Sequence, residues 1–420
     1  MKRFHKPRKK ALPNPVRVTI EKFSHDGRGL ARLDGRVILV DNAVPGETCQ
    51  VRINQANTKL WQGAAIKREL DGAARSRPAC HVYQQCGGCQ LQHVNHQSQL
   101  ALKQSAVQEL FQRRQVEVNR WMAPLVSSPY HYRHRARLHL SGKGEVGFHA
   151  AAQNQVVSFE YCPILVPELH KLVEQLRTDA PLAGVSQLEL VVDDYQQPGI
   201  KVLKASDSGR ELMENWALQQ GWSVNHSLKY RSAKVNVSAR PGDFTQVNRG
   251  INQAMLSQAS EWLQLTKDDR LLDLFCGNGN LGLAMASQVA SVLGYEVGGE
   301  AVKQAGLAAQ QAALPAQFFE KDLFTAVLDE EGRLMQFAPS CAVLDPPRAG
   351  AQHVCEQLTS VISLQRILYI SCDPATLARD LQVLGQGHWR VVRAGLLDMF
   401  PQTRHIETMV LLEKQTGKNL

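Results

Sequence analysis

No run of about 18 apolar residues occurs anywhere in the chain, so no membrane-spanning helix is expected and no membrane partner is called for. The first ten residues lack the apolar stretch that follows the basic region of a secretory signal. A cytoplasmic protein is therefore expected. Acids are missing from the start of the chain as well: the first is Glu21, whereas six of the first ten residues are Lys or Arg. Internal repeats are absent, and low complexity is confined to that basic tail. A disulfide framework is not expected either, because a large chain without a secretory signal keeps its thiols reduced. Any clustering among its nine cysteines then points to metal binding or catalysis.

At 420 residues the chain has room for two or three domains. The formal net charge of +9 favours phosphate-bearing partners, although charge alone does not choose between RNA, DNA and acidic lipid. Residues 16 to about 70 read as short strands with turn punctuation. Val16, Val18 and Ile20 alternate with polar residues, Asp26-Gly27 marks a turn, and residues 37–40, 51–53 and 64–66 are further strands, the pattern of a small OB-type barrel. Residues 95–115 read as an amphipathic helix. The stretch 125–240 is mixed. Within it, Arg133, Arg135 and Arg137 alternate along one predicted strand face. From residue 251 helices and strands alternate, which predicts a parallel sheet with crossover helices, an α/β fold.

Four groups of residues carry chemistry. Cys80, Cys86 and Cys89 surround Gly87-Gly88, and Cys162-Pro163 follows downstream. Four thiolates suit zinc or an iron–sulfur cluster, and spacing leaves the choice open. The apolar strand 270–275 runs into Cys276-Gly277-Asn278-Gly279-Asn280, with Glu296 at the end of the next strand. In Rossmann-like folds an acid at that place binds ribose hydroxyls. The third glycine of the dinucleotide fingerprint is missing, which favours adenosylmethionine over NAD. Asp345-Pro346-Pro347-Arg348 ends another strand, since prolines cannot continue a ladder. Finally, Ser371-Cys372-Asp373 follows the apolar run 367–370 and is joined by Glu407. Uracil C5 becomes nucleophilic only after a thiolate adds to C6, and a base must then remove the C5 proton, so that chemistry requires one cysteine and one carboxylate. Cys276 is the rival thiol.

With these motifs, and with Gln246 in Asp243-Phe244-Thr245-Gln246 and Glu407 in His405-Ile406-Glu407-Thr408, the chain resembles bacterial RNA uracil-C5 methyltransferases of the RumA/TrmA type over nearly its whole length. It is most like the RlmD branch, which acts on 23S ribosomal RNA. The resemblance implies a Rossmann-like class I methyltransferase domain, an N-terminal OB-like TRAM barrel, and a small β-rich central domain carrying an iron–sulfur cluster. The implied division is a basic disordered tail at 1–13, the TRAM domain at 14–72, the central domain at 73–92 and 125–243, and the catalytic domain at 93–124 and 244–420. It further implies Cys372 as nucleophile and Glu407 as base. Gln246, Phe275, Asn280, Glu296, Asp322 and Asp345 would line the pocket for S-adenosyl-L-methionine and uracil. Cys80, Cys86, Cys89 and Cys162 would hold a [4Fe–4S] cluster, and Arg133, Arg135, Arg137 and Phe244 would meet the 23S ribosomal RNA. A monomer is expected. The sequence departs from the branch at Asp345-Pro346-Pro347, where Asp-Pro-Ala is common, and at Cys372-Asp373, where Cys-Asn is common; neither change removes a reacting group. A cytosine-C5 or amino-methyltransferase, and a non-catalytic RNA-binding factor on the same fold, are the competing readings.

Overall fold

The computed structural model describes residues 15–415 except His25, Ala152, Glu330 and Glu331. The basic segment at 1–13 lies outside the described residues. The chain divides into two compact units. One holds the N-terminal residues to Ala79 with Cys89–Ala106 and Gln402–Arg404, and the other holds the remainder.

The first unit contains strands β1 (Val16–Thr19), β2 (Lys22–Phe23), β3 (Gly29–Leu33), β4 (Arg36–Asp41), β5 (Thr48–Ala56) and β6 (Leu60–Leu70), in sheet order β1-β5-β6-β4-β3-β2. All neighbours are antiparallel except β4 and β6. Inward-facing Val18, Ile20, Ala31, Ile38, Val40, Cys49, Val51 and Ile53 form its core, as strict alternation along half-buried strands requires. Asp34 and Gly35, at φ 49° and 75°, make the tight two-residue turn between β3 and β4. Gly63 is needed where β5 and β6 approach, because a Cβ there would run into the Arg52 carbonyl oxygen.

Helix α1 (His96–Arg113) spans the division between the units and matches the expected helix. In the second unit follow β7 (Val118–Trp121), β8 (Arg135–Leu140), β9 (Val146–His149), β10 (Val156–Ser158), α2 (Pro167–Asp179), β11 (Val185–Val192), β12 (Pro198–Ala205), α3 (Asp207–Gln219), β13 (Leu228–Ser232) and β14 (Val235–Ala239). Strands β8 to β12 form an antiparallel sheet of order β10-β9-β8-β11-β12, and β13 and β14 form a separate hairpin.

The last part of the chain comprises α4 (Arg249–Leu263), β15 (Arg270–Leu274), α5 (Asn280–Met285), β16 (Ser291–Glu296), α6 (Gly299–Gln311), β17 (Ala316–Glu320), α7 (Arg333–Phe337), β18 (Cys341–Leu344), α8 (Gln352–Leu358), β19 (Arg366–Ser371), α9 (Pro374–Gln386), β20 (Trp389–Leu397) and β21 (Glu407–Lys414). Its sheet runs β17-β16-β15-β18-β19-β21-β20-β7. Strands β15 to β19 are parallel, as expected, and their buried faces read as continuous apolar runs. The two last strands, for which the sequence gives no direction, depart from this pattern: β21 inserts antiparallel between β19 and β20. No helix separates β20 from β21, so the chain returns directly, and a direct return pairs strands antiparallel. Periodicity identifies both strands but carries no information about their direction.

Candidate active site and cysteine cluster

The parallel strands of an open α/β sheet present their C-terminal ends to the ligand crevice, and four segments converge there. After β15 the chain turns through Phe275-Cys276-Gly277-Asn278-Gly279. Gly277 and Gly279 have φ of 54° and 85°, and a Cβ on Gly279 would lie 2.7 Å from Leu283 Cδ1. Phe275 itself is left-handed at φ 62°, a conformation that side-chain-bearing residues hold only where the surroundings dictate it. Its ring centroid is 5.6 Å from that of Phe324. Glu296 ends β16 and locks the turn, accepting from Gly277 N–H at 3.2 Å and Gly298 N–H at 2.9 Å. Asn280 exchanges two hydrogen bonds with Asn252, at 3.2 and 2.9 Å. Asp322 accepts from Phe324 N–H at 2.9 Å and from the Thr325 hydroxyl at 3.0 Å, fixing the loop that bears Phe324.

The second half of the site is built on β18, β19 and β21. Asp345 follows β18 directly, and its Oδ2 accepts from Gln246 Nε2 at 3.4 Å. Cys372 follows β19. The next residue, Asp373, caps α9 by accepting from the N–H groups of Ala375 and Thr376, both at 3.0 Å, and Pro374 suits the first helical turn. Ser371 pairs with Thr408 across the antiparallel ladder of β19 and β21. One residue beyond that pair, Cys372 comes within electrostatic range of Glu407, so the strand whose direction the sequence does not reveal is the one that brings the two reacting candidates near each other.

Burial governs the charges. It pushes Asp345 up to about 7. It pushes Asp273 to about 7 too, against the opposing Gly282 N–H at 2.8 Å. Glu407 is driven well above the usual carboxylate range by burial first and by Asp345 second, with Arg348 opposing. The Cys372 thiol rises to about 11, again through burial, then through Glu407 and Asp345, with Arg348 opposing. Arg348 Nη2 lies 2.7 Å from His405 Nδ1. Buried carboxyls and a thiol in mutual range resist ionising until positive charge is added. Cys276 is a different case. Its sulfur is buried against Gly294, and burial raises the thiol well above its ordinary range, whereas Cys372 is only half-buried.

Of the cysteine cluster, Cys80, Cys86 and Cys162 belong to the second unit and Cys89 to the first. Cys86 Sγ accepts from Gly88 N–H at 3.4 Å, and Gly87 N–H donates to the His149 carbonyl at 2.9 Å. The Cys162 thiol is raised to about 11 by burial, with Cys80 and Cys86 contributing, so these three sulfurs sense one another. Among the described residues no group of three or more Cys, His, Asp or Glu side chains is arranged to hold a metal ion. Within the second unit the donor chemistry of Cys80, Cys86 and Cys162 is nevertheless that of a thiolate-bound centre: soft sulfurs, one buried and two half-buried, with a backbone N–H aimed at one of them.

The arginine candidates differ in their engagement. Arg135 pairs with the buried Glu189 at 2.7 Å and donates to the carbonyls of Gly242 and Asp243, so it ties down the loop leading to Phe244. Arg133 donates to the Arg135 carbonyl at 2.9 Å. Arg137 is exposed and 3.9 Å from Glu189. Phe244 is 75% exposed. Sequence reasoning misses Asp273 and Arg348 as site residues. The available signals are a lone charge inside the apolar run Leu271-Leu272-Asp273-Leu274, and a cation directly after the two prolines that end β18.

Residues 196–415 match the tRNA (uracil-5-)-methyltransferase family, and residues 15–65 match the TRAM domain. The chain is 36% identical to the 23S rRNA (uracil(1939)-C(5))-methyltransferase RlmD of Pseudomonas aeruginosa strain UCBPP-PA14, over 94% of each chain. It is 34% identical to the RlmD protein of Photobacterium profundum, covering 99% of this chain and 97% of that one. Among solved structures, the Pyrococcus abyssi tRNA (uracil-54, C5)-methyltransferase in complex with S-adenosyl-L-homocysteine shares the fold. Its TM-score is 0.73 at 22% identity, and the match covers 94% of this chain and 99% of that one.

Proposed function

The chain belongs to the RlmD family of RNA (uracil-C5)-methyltransferases, and from that premise we propose that it transfers a methyl group from S-adenosyl-L-methionine to C5 of a uridine in 23S ribosomal RNA. The observation that carries this reading is that Cys372, one residue beyond the Ser371–Thr408 pair of β19 and β21, lies within electrostatic range of Glu407 and Asp345 at the end of the glycine-turn sheet.

Adenosylmethionine supplies an electrophilic methyl group on a sulfonium cation. Cys372 gives its proton to solvent and adds through sulfur to uracil C6, sending the C5–C6 π electrons toward the C4 oxygen. C5 then takes the methyl group as the methyl–sulfonium bond breaks. Glu407, ionised, accepts the C5 proton. The electrons of that C–H bond re-form the double bond and expel Cys372 as thiolate, so one proton is released per turnover. Both Cys372 and Glu407 are held protonated by burial, and a nearby sulfonium charge together with Arg348 favours their ionised forms. The glycine turn, Glu296, Asn280 and the Phe275–Phe324 pair support cofactor binding, with Gln246 holding Asp345 in place. The target base has to leave its stack to reach this depth, and exposed Phe244 suits that task. Cys80, Cys86, Cys89 and Cys162 would hold a [4Fe–4S] cluster with a structural or RNA-facing role, away from the methyl transfer.

Incubation with adenosylmethionine and an unmodified 23S rRNA transcript should yield 5-methyluridine by nucleoside mass spectrometry. RNA containing 5-fluorouridine should form a covalent adduct, because fluorine cannot leave as a cation. An adduct on the Cys276 peptide instead of the Cys372 peptide would overturn the assignment of the nucleophile, and 5-methylcytidine as product would overturn the substrate.

A further inference from the structure

The β13–β14 hairpin has an outer face that the methyl-transfer chemistry leaves unused. Its inner residues Leu228, Tyr230, Val237 and Ala239 are buried with Leu283 of α5 and Ala308 and Ala309 of α6. Period-two alternation then sends Lys229 and Arg231 of β13 outward, opposite Ser238 and Asn236 of β14, and Lys234 projects from the turn. Nearby acids are already engaged. Asp193 accepts from the N–H groups of Lys229, Tyr195 and Gln197. Asp194 accepts from Arg231 N–H at 2.8 Å and pairs with Arg249 at 2.5 Å. Among the described residues, no carboxylate forms an ion pair with the side chains of Lys229, Arg231 or Lys234. The Arg231 guanidinium instead lies 5.2 Å from the ring centroid of the half-exposed Tyr195, whose hydroxyl donates to Asn236 at 2.8 Å. A stacked guanidinium is ordered in advance, so it loses little freedom on engaging a phosphate.

The hairpin also stands beside the chemistry. Asn278 of the glycine turn donates to the Ser238 carbonyl at 3.4 Å, and the Ser232 hydroxyl donates to the Asn280 carbonyl. β14 leads within a few residues to Phe244 and Gln246. We propose that the outer face of β13–β14 binds the phosphate backbone of the substrate RNA next to the nucleotide entering the site. This rests on RNA being the substrate. Three cations without an ion-pair partner among the described residues, one of them backed by an aromatic ring, fit a polyphosphate strand.

The test compares Lys229→Gln/Arg231→Gln/Lys234→Gln with a control, Lys143→Gln/Lys171→Gln/Lys204→Gln, which removes the same charge from exposed positions elsewhere. Binding of an unmodified 23S rRNA transcript is measured across a salt series. Each lost phosphate contact should flatten the log–log salt slope by about 0.7 to 0.9. The hairpin variant should therefore lose about two units of slope and roughly 50-fold in affinity at 0.15 M salt, with adenosylmethionine binding unaltered. The control should change far less. A second variant, Lys229→Gln/Lys234→Gln, leaves the Arg231–Tyr195 stack untouched and should show an intermediate loss. Equal losses in hairpin and control variants, or an unchanged slope in both hairpin variants, overturn the proposal. Binding and 5-methyluridine formation are read separately, so a wild type that binds but does not methylate counts against the proposed activity and not against the hairpin.

Discussion

Replacing Asp345 by Asn should make the protein more stable, and increasingly so as pH rises. Asp345 is part-buried at the sheet edge, and desolvation raises its carboxyl from 3.8 to about 7. A group raised on folding stabilises fully below its unfolded value, and that stability is lost as pH climbs through its folded value. Wild type and variant should thus be alike near pH 4. They should diverge between about pH 4 and 7, and the difference should level off above that. A shift of about three units corresponds to at most about 4 kcal/mol. Part of this is returned because removing the Asp345 charge also relieves Glu407 and Cys372. The amide oxygen keeps the contact with Gln246 Nε2. At roughly 2 to 4 °C per kcal/mol, the melting temperature should rise by several degrees at pH 8.5. Thermal melts from pH 4 to 8.5, on a variant tested in parallel for loss of methyl transfer, decide the matter. A gain independent of pH, or a loss at pH 8.5, refutes the claim that burial of an ionisable group is the cause.

Glu407→Gln should stall after methylation, because the amide cannot accept the C5 proton. Denaturing gels should show an RNA–protein adduct with natural uridine, while turnover falls by at least 100-fold. Alkylation of Cys372 by iodoacetamide should accelerate about tenfold per pH unit up to about pH 11; a plateau below pH 8, followed by peptide mass spectrometry, would reject the raised thiol. Protein purified without oxygen should absorb broadly near ~400 nm. Cys86→Ala should lower its iron and sulfide together, and stoichiometric zinc without sulfide in wild type would replace the cluster with a zinc centre.

Much of this architecture is legible in residue patterns. The alternation of Val16, Val18 and Ile20 marks β1, and the apolar runs ending at Phe275, Leu344 and Ile370 mark strands β15, β18 and β19 with a site at their ends. Those signals are local, since period and punctuation act within a few residues. Pairing is not local. Nothing in 389–414 states that β21 enters between β19 and β20, because direction depends on how the chain returns. Helix α9 has no counterpart among the expected elements; it starts where Asp373 accepts from two following N–H groups and Pro374 fits the first turn. Engagement is equally hidden. Arg133, Arg135 and Arg137 look equivalent in sequence, but the buried Glu189 claims Arg135 and leaves Arg137 exposed.

The charge distribution explains why one fold can be both stable and poised. Asp273 and Glu407 are buried and Asp345 is part-buried, and desolvation raises the carboxyl of each. Such a cluster costs folding energy at neutral pH, and a well-packed apolar core would avoid it. Its persistence makes sense only if something positive compensates in the working state. Arg348 supplies one charge from the edge, and a sulfonium donor would supply another from within. Binding of the donor should then release protons, and neutral S-adenosyl-L-homocysteine should release fewer. Calorimetry in buffers of different ionisation enthalpy measures this directly. Equal proton release for the two ligands would mean that the cluster responds to packing and not to charge.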